Sequence, residues 1–404
     1  MVKQEDFAVE QFMDKYETHI DNNMGETCSD SLSVNQLFEL VKSADPKFSV
    51  EEQQKLLTDK LLNTKLTYGH IRGSPALKEA ICALYNDDSG KVGGDITEEN
   101  IVISNGAIGA NFLTLYSLVN ADDKVIVVDP TYQQLSSVSS VFSQNKKNVV
   151  QFPLKFENGF LPDLEELKSL IKEHSPKLVI INNPNNPTGI VWSDAIVSEI
   201  VEICKADDIW LMCDEVYRPL YHSVPQDEQP KSIINYGYTK SISTSSTSKA
   251  FAFAGLRLGW VVSREKSLIR DLFSKRDYNT IAVSTVDDFI ATLVIQNYKT
   301  VLQRSYDICL ENIKVIQKAI DESNGLLSWV KPRGGTTCFI KINIPNIDTY
   351  KLCSELAENY GTLVVPGEVF GNRSGFLRVG FGNQAMSIKN GFIELNKWFK
   401  NNGY

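Results

Sequence analysis

The chain has 404 residues, 42% of them hydrophobic, and its 41 Lys and Arg against 50 Asp and Glu give a formal net charge of -9. This is more apolar material than one core usually fills, so a large domain with a smaller lobe is expected. Several classes are not expected: a nucleic-acid binder would need a concentrated basic surface, a membrane protein about 18 consecutive apolar residues, and a zinc or disulfide protein paired Cys and His rather than seven scattered cysteines and four histidines.

The N-terminus, Met1-Val-Lys-Gln-Glu-Asp-Phe, has no apolar signal core, so a reduced, cytoplasmic location without an anchor is expected. Further on, Tyr68-Gly-His-Ile-Arg-Gly73 holds a tyrosine and an arginine in a glycine-bounded loop, which by composition is only a turn. From about residue 100, short apolar runs alternate with helical periodicity, the pattern of repeated β-α units, so the fold class is α/β with a mostly parallel central sheet.

Strands are expected at Ile101 to Ser104, Lys124 to Asp129, Lys177 to Asn182, Ile209 to Asp214, Ser241 to Ser245 and Leu258 to Val262, most apolar enough for burial on both faces. Between them, Leu164, Leu167, Leu170 and Ile171 mark a crossover helix, with Asp163 as N-cap and Glu166 completing a capping-box-like pair. A long helix is expected from Val286 to about Ser323. Strands follow at Thr337 to Asn343 and Leu377 to Gly380, then a helix carrying Ile388, Leu395 and Phe399. This tail departs from the parallel pattern, so residues 1–50 are expected to form an N-terminal arm and part of a small domain, 51–299 a large domain and 300–404 the rest of the small domain.

Chemistry concentrates in a few strings. Lys249 follows a run of small hydroxyl residues, Ser243 to Ser248, and Arg257 comes eight positions later. A lysine in this setting suits a Schiff base with an aldehyde, and the hydroxyls (Ser246 above all) and guanidinium suit a phosphate dianion. Pyridoxal phosphate combines the two, although a polar loop before a buried strand would read the same way.

Asp214-Glu-Val-Tyr217 stands at the carboxyl end of an apolar strand, where ligands of open α/β sheets gather. There Asp214 could hold a pyridine nitrogen protonated, and Tyr217 could donate to the ring's phenolate oxygen. A helix cap or surface ion pair would also account for Asp214.

In Asn182-Asn-Pro-Asn-Asn-Pro-Thr-Gly189, Asn186 can aim its amide at the ring oxygen beside a substrate carboxylate, or the loop can be a plain turn. Ser104-Asn-Gly-Ala-Ile-Gly-Ala-Asn111 opens a helix from Ala107 to Val119, and the free amides of Gly106, Ala107 and Ile108 suit a phosphate. Its spacing matches neither GxGxxG nor GxxxxGK[ST], so dinucleotide and P-loop sites are not supported. In Asp129-Pro-Thr-Tyr132 the tyrosine can stack on a flat ring or sit in a core. Arg378, within Gly375 to Gly382, interrupts an apolar strand and needs an anionic partner, a substrate α-carboxylate or a structural Asp or Glu.

Taken together, the strings from Tyr68 through Arg378, and above all Asn185 to Gly189, Asp214 to Tyr217, Ser245 to Lys249 with Arg257, and Phe376 to Gly382, resemble the class I/II, fold-type I pyridoxal-phosphate aminotransferases over nearly the whole chain. The resemblance implies a homodimer with shared active sites, amino-acid and keto-acid substrates, Tyr68 reaching the partner subunit's cofactor phosphate, and Lys249 as both Schiff-base link and proton shuttle. Met24-Gly-Glu-Thr-Cys-Ser-Asp30 departs from the proline-rich stretch with which many relatives line the substrate pocket. Glu26 to Ser33 and Thr67 to Leu77 are similar to capreomycidine-synthase-like members, so a lyase or cyclase on the same scaffold stands as the alternative to transamination.

Overall fold

The computed structural model describes residues 2–404. Its main sheet has seven strands, in the spatial order Ile101–Ser104, Gly259–Ser263, Ser241–Ser246, Trp210–Asp214, Leu178–Asn182, Val125–Asp129 and Val149–Pro153. All pair in parallel except Gly259–Ser263, which runs antiparallel to both of its neighbours. The fold is thus α/β with a mostly parallel sheet.

Period-two alternation explains why these apolar runs become strands. Ile126, Val128, Val179, Ile181, Leu211 and Cys213 face one core, while Val125, Val127, Leu178, Ile180 and Met212 face another on the opposite side of the sheet. The helix Leu164–His174 is one of those covering the sheet. Asp163 caps it by accepting from the amides of Glu165 and Glu166, both at 3.1 Å. The expected reciprocal half of the capping box is not formed, because the Glu166 carboxylate turns to Lys155 at 3.4 Å.

Two expectations are revised. The long helix is two, Thr285–Gln296 and Tyr298–Asp321. Asn297 breaks it by folding its side-chain amide back onto the Leu293 carbonyl at 2.8 Å, and local side-chain bonding of this kind competes with helix propagation. The strand Val149–Pro153 was not anticipated. It lies at the sheet edge and is only partly buried, so its apolar signal is weak and its proline is tolerated.

The C-terminal region forms a separate antiparallel sheet ordered Val365–Pro366, Phe376–Gly380, Thr337–Ile342 and Leu327–Trp329. Asn22–Asn23 pairs in parallel with Thr362–Leu363, tying the N-terminal segment to this region. Tyr298–Asp321 spans the position of the expected boundary at 299/300 without interruption.

Candidate active site

The carboxyl ends of the parallel strands open on one cavity of about 480 Å³, a size suited to a small molecule. Its wall holds Ala107, Ile108, Tyr132, Asn186, Asp214, Tyr217, Ser246, Lys249, Arg257 and Arg378, residues that are far apart in the chain. Two expected members are elsewhere. Gly106 stands behind the wall, where a Cβ would come within 3.2 Å of the Arg257 guanidinium. Tyr68 is 70% exposed and does not line this cavity.

Strand register positions Asp214. It ends Trp210–Asp214, paired with Asn182 on one side and Thr244 on the other. Its Oδ2 accepts from the Asn111 amide at 2.9 Å, its Oδ1 accepts from the Val216 amide at 3.0 Å, and Thr244 donates to Asn111 Oδ1 at 2.6 Å. Burial pushes the Asp214 carboxyl up, against these hydrogen bonds, so it gains by sharing a proton with a basic ligand. The adjoining Glu215 is structural, accepting from Ser232, Ser243 and the Ile233 amide in the interior. Asn111 went unrecognised as a support in the sequence, although it closes the string from Ser104; its signal was a polar residue on the buried side of an apolar helix.

Lys249 is partly buried and donates to Thr27 Oγ1 at 2.8 Å and to Cys28 Sγ at 3.3 Å, with Glu26 Oε1 at 3.9 Å. Burial works against its ammonium, while Cys28, Tyr217 and Glu26 favour the charge, and the net direction is upward. Of those three, Glu26 is the anion at neutral pH, because burial pushes the Cys28 thiol up to about 11 and the Tyr217 phenol above its ordinary value. The sequence marks Met24 to Asp30 as a departure but does not reveal that Glu26, Thr27 and Cys28 meet the lysine.

The chain between Lys249 and the next strand is tightly constrained. Arg257 adopts a left-handed backbone (φ 50°), as does Ala252 (φ 61°), a conformation costing about 1 kcal/mol for such residues and concentrated at functional sites. Gly259 then passes so close to the start of helix Gly106–Leu118 that a Cβ would lie 2.3 Å from the Gly106 carbonyl carbon. The Arg257 guanidinium thus lies beside Gly106 and lines the cavity together with Ala107 and Ile108, a setting that could hold a phosphate.

Three buried polar atoms on the wall have no partner: Asn186 Oδ1, the Tyr217 hydroxyl and Arg378 Nε. Arg378 donates through Nη2 to the Gly25 carbonyl at 2.9 Å, and among the described residues no carboxylate lies within ion-pair distance of it. The alternative of a structural Asp or Glu partner thus finds no such partner among the described residues. Buried polar groups are nearly always satisfied, so unsatisfied ones facing a cavity mark a polar ligand. Tyr132 packs at a tilt against Phe7, 5.0 Å between centroids, and donates to Glu10 at 3.2 Å.

Residues 31–390 match the model of the family "Aminotransferase class I and II". The chain belongs to that family. It is 34% identical to a PLP-dependent aminotransferase from Streptococcus suis whose crystal structure superposes with a TM-score of 0.87, covering 99% of each chain. It is also 28% identical to an aspartate aminotransferase of Pyrococcus horikoshii, over 87% of this chain and 88% of that one. A capreomycidine synthase of Streptomyces vinaceus is 26% identical over 81% of this chain and 80% of its own. The fold is PLP fold type I and the cofactor is pyridoxal 5'-phosphate. The unpartnered Asn186, Tyr217 and Arg378 atoms and the buried Asp214 carboxylate fit that group and its substrate.

The seven cysteines are free. Among the described residues no cluster of His, Cys, Asp or Glu could hold a metal, and no helix is long and apolar enough to cross a membrane.

Proposed function

We propose that this aminotransferase-family protein moves the amino group of an α-amino acid to a 2-keto acid, using Lys249 as its cofactor-linked residue. The observation that carries the reading is the convergence of Lys249, Asp214 and Arg378 on one cavity with Arg378 Nε and Asn186 Oδ1 unpartnered. Bound there, the cofactor supplies a protonated ring that withdraws electrons from the substrate α-carbon.

The chain's residues divide the work. Asp214, steadied by Asn111 and the Val216 amide, holds the ring nitrogen; Tyr217 and Asn186 contact the ring oxygen, and Tyr132 packs on the ring face. Ser246, Arg257 and the amides of Ala107 and Ile108 at the start of the helix hold the phosphate, with Gly106 behind them shaping the turn. Arg378 and Asn186 grip the α-carboxylate. Once its amine is free, Lys249 takes the α-proton, and the Thr27 hydroxyl, 2.8 Å from Nζ, orients that amine.

A homodimer with shared sites belongs to the same proposal. Helix Val50–Asn63 buries none of its residues in the single chain, and Leu62 in its last turn and Leu66 and Tyr68 after it are all at least 70% exposed, so this segment offers an apolar surface to a second copy. In such a dimer Tyr68 of each chain serves its partner's phosphate. A cytoplasmic location is also proposed, supported by the free cysteines.

The similarity to a capreomycidine synthase favours a second reading, elimination or cyclisation. The same residues serve it, because the outcomes diverge only after the α-proton has left and depend on a leaving group in the substrate. Absorbance tests the shared part: purified protein should show a visible band that Lys249→Ala abolishes, and its absence would refute the cofactor link. An amino-acid panel separates the readings, since keto acid forming only with an acceptor supports transamination and ammonia without one supports the alternative.

A further inference from the structure

The cavity wall carries more acid than the proposed reaction uses. Its cations are Lys249, Arg257 and Arg378, and its acids are Glu10, Glu17, Glu26 and Asp214. Resting on the reading above, the cofactor link, the phosphate, the substrate carboxylate and the ring nitrogen occupy the three cations and Asp214. Glu10, Glu17 and Glu26 are left over.

All three stand in the N-terminal segment, Glu10 on helix Ala8–Tyr16, Glu17 at its end and Glu26 beyond it. Glu10 accepts from the Tyr132 hydroxyl. Glu26 uses Oε1 for the amides of Thr27 and Cys28, at 2.6 and 2.7 Å, and stands 3.9 Å from Lys249 Nζ, the group that the cofactor link takes up, while Glu17 has no ion-pair partner among the described residues. They are close enough to repel one another, since Glu26 and Glu10, after burial and Asp14, push the Glu17 carboxyl up. In the wall of the same cavity the buried Arg378, 3% exposed, donates to the Gly25 carbonyl next to Glu26 and leaves Nε unpartnered, which calls for an anionic ligand group. A ligand that answers both observations has a carboxylate for Arg378 and a cation for the acids.

We infer that the substrate is an α-amino acid with a cationic side chain, a guanidinium or an amine, held in the cavity by Glu10, Glu17 and Glu26. Side-chain carboxylates are disfavoured there by like-charge repulsion.

The test uses the holoenzyme and the concentration dependence of the change in its visible band on adding arginine, ornithine, citrulline, norleucine or glutamate without an acceptor. Citrulline matches arginine in shape without its charge. The expected result is half-saturation by arginine or ornithine at concentrations about tenfold to a hundredfold below those for citrulline and norleucine, with glutamate weakest. In Glu17→Gln and Glu26→Gln the ratio of the citrulline to the arginine constant should shrink several-fold; glutamine retains an acceptor for the Thr27 and Cys28 amides, and circular dichroism confirms folding. Citrulline or glutamate equalling arginine, an unmoved ratio in both folded variants, or a band that no cationic amino acid perturbs would each overturn the inference. Lack of the band in wild-type protein would instead refute the cofactor link on which it rests.

Discussion

Asn111 is a residue whose value lies in what it holds. With Thr244 fixing its carbonyl oxygen, its amide is the one side-chain donor to Asp214. Asn111→Ala should leave the carboxylate with the Val216 amide alone and raise the dissociation constant for pyridoxal phosphate about tenfold, the loss expected for one hydrogen bond to a charged group. Equilibrium dialysis measures this, and an unchanged constant would remove Asn111 from the site. His222 makes a different kind of prediction. Burial pulls it down to about 4 from the ordinary histidine value of 6.5, and its Nε2 has no partner. The unfolded chain therefore binds the extra proton between those two values, so stability falls as pH drops through that window. Denaturant unfolding of His222→Phe should show a flatter pH slope than wild type from 6.5 to 4, whatever its absolute stability.

Among the elements, the antiparallel strand Gly259–Ser263 does the most to shape the cavity, because it presses backbone against backbone at the start of helix Gly106–Leu118. A methyl at position 259 would overlap the Gly106 carbonyl and the Ala107 nitrogen, at 2.5 and 2.7 Å. Gly259→Ala should therefore destabilise the fold by about 1–3 kcal/mol and weaken phosphate binding more than Asp214 contacts. Thermal melts with and without inorganic phosphate check this: a variant that keeps the wild-type phosphate stabilisation would show that the turn tolerates the shift. Much at this scale was legible in the amino-acid pattern. The six strands expected in the main sheet lie within a residue or so of their observed ends, most of them because two-sided burial demands continuous apolar runs, although Ser241–Ser246 is buried with mainly hydroxyl side chains. The edge strand Val149–Pro153 and the break at Asn297 were not legible, since edge exposure dilutes the apolar signal and a side chain folding onto its own helix leaves no trace in periodicity.

For the molecule as a whole, the open question is what covers helix Val50–Asn63 and the exposed Leu62, Leu66 and Tyr68. If a second copy does, Leu62→Asp should shift the protein from dimer to monomer in sedimentation equilibrium and weaken cofactor retention with it, through loss of Tyr68 from the neighbouring site. A wild-type monomer that retains the cofactor would overturn the shared-site proposal.

Residue types and their spacing were enough to identify the family and its cofactor, because Lys249, Asp214, Asn186 and Arg378 each sit in a short string whose chemistry is local. They were also enough for the α/β class, since alternation along a strand is a property of consecutive residues. The tertiary structure decided which of those strings meet, that Gly106 backs Arg257 while Tyr68 faces outward, and that Arg378 meets no carboxylate among the described residues. It also brought Glu10, Glu17 and Glu26 into the wall of the cavity. Such meetings depend on strand register and on how the N-terminal segment crosses between the two sheets, distances set by packing over the entire chain that no local pattern encodes.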